Sequence, residues 1–367
     1  MKYLYVVFSL SLIVSCGGVS GGSDSSSSGS TFEPIDQRRI IFSGHSLTDA
    51  AVQTLRNIAM EKGDDLVDIY QSIPGSPIRI RTRGNYVDEN SWFGYSEGFN
   101  PSLNLIDEIL SPSQLNGDEV YDTLIITERH DILGTIKYES TASLLRHFRD
   151  QLARGSSNSE VFFYQSWLGI KKDNPIPWVN YVKDMLVTWE CISSKVNLTL
   201  EQDGQPQNVK TIAAGWAMAH LLEQAFLGNL PGITGTDEEI TNLIFRDNVH
   251  RTELGEFFIG AFTYNNAFGK SAEGITIPAS IDQNTGSALL ALAWQLTLQY
   301  HQRADKGKHE MASCRAHIRD NICQPYHEYI FDEPVRVSDC QNFFGEEQSG
   351  NPFRWPDPNL VSWPDPL

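Results

Sequence analysis

Ile40-Ile41-Phe42-Ser43-Gly44-His45-Ser46-Leu47-Thr48-Asp49 runs from an apolar triplet through a glycine into a polar turn and then into helix-forming residues. A short apolar run is what a sheet buries on both faces, and the spacing over 48–61 is helical. The same alternation recurs along the chain. Further strands are predicted at 66–72, 123–127, 161–165 and 209–214, with helices at 140–153, 177–193, 217–227 and 253–267 between and after them. Strands alternating with helices make a parallel sheet covered on both faces. The predicted fold is therefore α/β, a three-layer α/β/α sandwich on a five-stranded sheet. One more helix is predicted at 285–303. The stretch from Asp305 to the end is poor in periodicity and carries cysteines, and it reads as an irregular extension packed on the domain.

The quoted segment also places a serine directly after a strand, at the mouth of a helix. In an open α/β sheet, ligands bind at the carboxyl ends of strands. A helix N-terminus there offers unpaired N–H groups to a developing oxyanion. Far downstream, Phe245-Arg246-Asp247-Asn248-Val249-His250 puts Asp and His three apart on a loop entering a helix. That spacing lets the carboxylate meet one imidazole nitrogen while the other faces a serine from elsewhere.

These two blocks resemble those of the SGNH hydrolases, also called GDSL esterases. Gly44-His45-Ser46-Leu47 is similar to the family's Gly-Asp-Ser-Leu, with His45 in place of Asp, and Asp247 with His250 matches its final Asp-x-x-His. The resemblance covers roughly 38–270 and implies a flavodoxin-like sheet of order 2-1-3-4-5. It also implies that Ser46 is the nucleophile, His250 the general base and Asp247 its orienting carboxylate. For the oxyanion hole it implies the Ser46 N–H and a second-block glycine, for which Gly75 is the match. The family's third block ends in an Asn donor, but this chain has Glu128-Arg129-His130-Asp131 there. His130 aligns with the Asn, and Glu128 or Arg129 is the alternative inward group. The expected activity is hydrolysis of short acyl esters, most plausibly acetyl, on a small molecule or a carbohydrate, with no cofactor and no metal. The same triad would serve an acyltransferase or a lipase, and the non-enzymatic rival is a glycan- or partner-binding protein on the same fold.

Two features bear on substrate. Arg79, Arg81 and Arg83 alternate with Ile80 and Thr82, so in an extended segment they would share one face. With Arg129 they are candidates to meet an anionic sugar, and Trp92 in the following Gly- and Asn-rich loop is a candidate to stack on a sugar ring. The rival readings are a solvated edge for the arginines and an inward-packed Trp92.

The chain of 367 residues has 46 acidic against 28 basic side chains, a formal charge of −18, with 40% hydrophobic residues and 8 Trp, 18 Phe and 13 Tyr. A disordered chain lacks that apolar content, and an acidic surface repels nucleic acid. At the start, Lys2, an apolar run and Ile13-Val14-Ser15-Cys16 read as a signal peptide over 1–15, too short to span a bilayer at about 20 residues. The motif resembles the lipobox of bacterial lipoproteins, which implies lipidation of Cys16 and a membrane anchor in the cell envelope. Gly17 after the cysteine points to the outer membrane. Residues 16–34, rich in Gly and Ser, read as a tether, 35–275 as the hydrolase-like domain and 276–367 as the extension, in a monomer. Four cysteines remain, Cys191, Cys314, Cys323 and Cys340, and an exported chain would pair them. Three pairings exist. The local one, Cys314 with Cys323, would leave Cys191 with Cys340. His309, His317 and His327 lie near, but without a C-x-x-C pair metal is not expected.

Overall fold

β1 (Gln37–Gly44) is buried along all but its first residue, which is why its apolar triplet is continuous rather than alternating. It pairs in parallel with β2 (Asp65–Ser72) on one side and with β3 (Thr123–Thr127) on the other. β4 (Glu160–Tyr164) and β5 (Val209–Ile212) extend the sheet, giving five parallel strands in the order β2-β1-β3-β4-β5. The order reverses at β1. With right-handed crossovers, the helix joining β1 to β2 and the helices joining β3 to β4 and β5 therefore lie on opposite faces. Ile40, Ile41, Leu124, Ile126, Val161 and Phe163 are fully buried between them. The protein is seen in a computed structural model that describes residues 33–85, 91–99, 102–303, 308–345 and 350–356. The signal peptide, Cys16 and nearly all of the tether lie outside the described residues.

On one face the Ser46–Lys62 helix packs against Glu253–Phe268, which in turn carries Gln283–His301. Thr141–Gly155 and Ile176–Gln202 form the other layer. Ile176–Gln202 runs 27 residues, well past the predicted end. It carries Cys191 and Glu190 fully buried under the extension.

The extension bears the disulfides, but its irregularity is helical. Met311–His317, Cys323–Pro325 and Val337–Gly345 are short α-helical pieces joined by π-helical turns at Ile318–Ile322 and Tyr326–Ile330. Of the three possible pairings the structure has Cys191–Cys314 and Cys323–Cys340, with Cα atoms 5.8 and 5.6 Å apart, and not the locally plausible Cys314–Cys323. Cys314 and Cys323 stand nine residues apart along one helical run. At about 1.5 Å per residue their Cα atoms are separated by well over the roughly 7 Å a disulfide spans.

A second correction concerns the arginines. Ile78–Arg83 is a helix, not an extended segment. Its first N–H donates to the buried Glu128 carboxylate at 3.0 Å, a tertiary contact that overrides the period-2 pattern. Arg79 and Arg83 fall on one side of this turn, and Arg81 points the other way into the protein.

Candidate active site

The site lies where the strand order reverses, at the carboxyl ends of β1 and β3. β1 ends at Gly44, where any side chain would collide with the Thr48 hydroxyl, and His45 caps the helix that follows. Leu47 N–H donates to His45 Nδ1 at 3.3 Å, and His45 N–H donates to the Thr48 hydroxyl at 3.1 Å. Because Nδ1 accepts, Nε2 carries the proton and donates to the Glu128 carbonyl at 3.0 Å. Burial, seconded by the nearby Arg81 charge, holds the His45 ring down to about 3, so it is neutral. The imidazole thus caps the helix that Ser46 begins. Ser46 occupies the first helical position, and its own N–H has no partner among the described residues.

The opposing loop is a tight reversal. Arg246 N–H donates to the His250 carbonyl and Thr252 N–H to the Ile244 carbonyl, both at 2.9 Å, around a bridge between Phe245 and Arg251. Asp247 Oδ1 accepts the N–H groups of Val249 and His250 at 2.8 and 2.7 Å. This turns Oδ2 onto His250 Nδ1 at 2.8 Å, and His250 Nε2 then stands 3.0 Å from Ser46 Oγ. Partial burial works to raise the Asp247 carboxyl, but those two backbone donors and the ring hold it down to about 2. The loop rests on the segment after β4: Trp167 donates to the Val249 carbonyl at 3.1 Å and Ile170 N–H to that of Asn248 at 2.7 Å.

Two buried arginines brace this arrangement, and neither role was evident from the sequence. Arg251 donates to the Leu47 carbonyl at 2.9 Å with its guanidinium 5.1 Å over the Trp167 ring, so it joins the His250 loop to the Ser46 helix. Its signal was adjacency to His250, but an arginine at a helix start ordinarily reads as solvated. Arg81 is fully buried. It donates to the Ser43 hydroxyl at 3.0 Å, to the Ser76 carbonyl at 2.7 Å and to the carbonyl of Thr127, and so ties the ends of β1 and β3 to the turn after β2. Gln71 completes the floor by accepting from Ser43 at 2.7 Å. Burial lowers Arg81 to about 10 against the pull of Glu128.

The third-block loop divides its roles. Glu128 is the inward residue, fully buried, with its carboxylate taken by the N–H groups of Ile78 and Arg129 and the Thr141 hydroxyl at 2.7 to 3.0 Å. Burial raises it while Arg81 opposes. His130 is half-buried, and its ring has no hydrogen-bond partner among the described residues. Burial depresses its basicity; Asp131 opposes, and the charges of Arg129 and His250 reinforce the effect. A neutral ring beside His250 therefore has one N–H to give. Gly75 sits exposed in the turn after β2 at φ +62°, a conformation suited to glycine.

Of the substrate candidates, Arg79 pairs with Glu139. Trp92 stacks on His147 at 4.0 Å beneath the Arg83 guanidinium at 4.5 Å, packed against the body. Arg79, Arg81 and Trp92 therefore form no open patch, whereas Arg129 stays partly exposed one residue from His130. Among the described residues, no cluster of side chains is arranged to hold a metal.

An alcohol, an imidazole and a carboxylate in line, facing an uncommitted helix N–H, can abstract a proton from the alcohol and hold an oxyanion. No family model matches the chain, and no curated protein matches it. Among solved structures it is similar to a DUF4886 family protein from Bacteroides uniformis, with 14% identity and a TM-score of 0.47 over 72% of this chain and 95% of that one.

Proposed function

We propose that the protein is a serine esterase of the SGNH hydrolase type that removes short acyl groups, acetyl above all, from a carbohydrate or related ester. The observation that carries this reading is the line Ser46 Oγ, His250 Nε2 at 3.0 Å, and His250 Nδ1 to Asp247 at 2.8 Å, at the carboxyl ends of the strands.

In this mechanism Ser46 Oγ attacks the ester carbonyl as its proton passes to His250 Nε2. Asp247, ionised across the neutral range, fixes the ring so that Nδ1 keeps its hydrogen and the imidazolium is stabilised. The carbonyl oxygen, now anionic, receives the N–H groups of Ser46 and Gly75, with the His130 ring in the place of the family's Asn. His250 returns the proton to the leaving alkoxide, which departs as the alcohol and leaves an acyl-Ser46. Water activated by His250 then hydrolyses the acyl-enzyme, giving the carboxylic acid and the free serine. On this reading Cys16 carries the lipid that holds the enzyme to the bacterial envelope, as the Ile13-Val14-Ser15-Cys16 motif supports.

The test is hydrolysis of p-nitrophenyl acetate by wild type and Ser46→Ala, together with labelling by a fluorophosphonate probe. Turnover and a serine adduct in wild type alone are expected. Absence of both in the folded wild type overturns the enzymatic reading in favour of a binding protein.

A further inference from the structure

Next to the third-block loop is a cavity of about 560 Å³ that the triad does not use. One wall comes from the body, with Arg129, Lys137 and Tyr138. The other comes from the C-terminal extension, with Tyr326, His327 and Arg336. Arg129 immediately precedes His130, whose ring feels the charge of His250, so the cavity opens one residue from the proposed oxyanion donor.

Three cations line it, and one of them has no acid partner among the described residues. Lys137 has no carboxylate partner among the described residues, and its ammonium lies 4.3 Å from the centre of the Phe343 ring and 5.2 Å from that of Tyr138. The carboxylate beside Arg129 is Asp131, at 4.0 Å, and Asp131 already accepts from the Tyr326 hydroxyl at 2.6 Å and from Gly134 N–H at 3.3 Å. Arg336 pairs with Glu333 at 3.1 Å in solvent, a weak constraint. Asp339 is the other acid on the wall. With Arg336 held by Glu333 and Asp131 shared between Arg129 and Tyr326, Lys137 is the cation on these walls left to meet an anion, with Arg129 beside it.

The same walls carry faces for a ring. Tyr138 is 75% exposed, and His327 lines the opposite wall.

We propose that this cavity is a subsite for a carboxylate-bearing sugar unit of the substrate. The carboxylate is held by Lys137 and Arg129, and the pyranose face lies on Tyr138. The inference deepens the esterase reading and rests on it only in placing the scissile ester at Ser46. It gives the extension a purpose, since Tyr326, His327 and Cys340 of the cavity wall belong to the segment closed by the Cys323–Cys340 bond.

The test is calorimetric binding to the full-length Ser46→Ala protein, which separates binding from turnover. Tetragalacturonate is compared with a neutral tetrasaccharide and a sulfated one. Tetragalacturonate is expected to bind at least roughly tenfold tighter than either. Lys137→Ala and Tyr138→Ala should each weaken it by roughly tenfold without changing the melting temperature. Equal affinity for the neutral or the sulfated oligomer, no binding of the uronide, or affinity unchanged in both variants overturns the subsite. Uronide binding by a protein that hydrolyses no ester would leave the subsite standing and remove the esterase. Ester hydrolysis without uronide binding would do the reverse.

Discussion

His250 Nε2 stands 3.0 Å from Ser46 Oγ across 204 residues of chain. The contact is not left to two side chains alone. Arg251, the next residue, donates to the carbonyl of Leu47, the residue after Ser46. The two halves of the site are therefore clamped in parallel, one bond between the reacting groups and one from the Arg251 guanidinium to the backbone of the Ser46 helix.

That clamp separates two kinds of loss. Ser46→Ala is expected to lower kcat/KM for an aryl acetate by at least ~10³-fold with stability unchanged, because it removes the nucleophile and little packing. Arg251→Met should lower both kcat and the melting temperature, since it deletes a buried charge-assisted bond worth about 1.5–3 kcal/mol. Steady-state kinetics and thermal denaturation on both variants check this. A Ser46→Ala protein as active as wild type would remove Ser46 from the mechanism.

In the proposed mechanism His130 offers the oxyanion a ring N–H where the resembling family has a side-chain amide. If it receives the oxyanion, His130→Ala should reduce kcat by roughly 10²–10³-fold at little cost in KM, because the bond is made in the transition state. His130→Asn should recover much of that loss. Equal rates in wild type and His130→Ala would leave the two backbone N–H groups as the whole hole.

The sheet was legible because its strands are short apolar runs at regular alternation, and tertiary forces agreed with local ones. Ser46, His250 and Asp247 were legible for a related reason: each sits at an element boundary, where a polar residue is conspicuous. Arg81 was not. Its neighbours alternate like a strand, and nothing local reveals that the 78–83 segment is bent into a helix by the Glu128 carboxylate, or that the guanidinium ends under β1 and β3. The four bridging cysteines were legible but their partners were not, since a nine-residue spacing looks local only until the intervening chain is known to be helical.

The pairing itself can be read by mass spectrometry. A non-reducing digest should release one peptide pair joining Cys191 to Cys314 and another joining Cys323 to Cys340, with none joining Cys314 to Cys323. Removing the long-range bond as Cys191→Ala with Cys314→Ala, a closure over 123 residues, should cost up to about 4–5 kcal/mol. Removing Cys323–Cys340, with a separation of 17, should cost about 3 kcal/mol. Urea denaturation of the two double variants gives the ranking, and an inverted order would mean that strain or residual structure outweighs loop closure here.

His45 makes the stability of the site depend on pH, and the sign follows from its burial. The ring is held at about 3 in the folded protein against an ordinary 6.5, so below pH 6.5 the unfolded chain binds a proton that the folded chain refuses. Its contribution is therefore fully present above about pH 6.5 and is lost progressively as pH falls toward 3. At ~1.4 kcal/mol per pH unit, acidification to pH 4.5 should remove about 2–3 kcal/mol through this residue alone. Asparagine can still cap the helix by accepting from Leu47 N–H but does not titrate. His45→Asn should thus be close to wild type or weaker at pH 7, and lose about 2–3 kcal/mol less than wild type between pH 7 and pH 4.5. Parallel slopes for the two proteins in urea titrations at those pH values would show that the His45 ring takes up its proton in the folded state as readily as in the unfolded one.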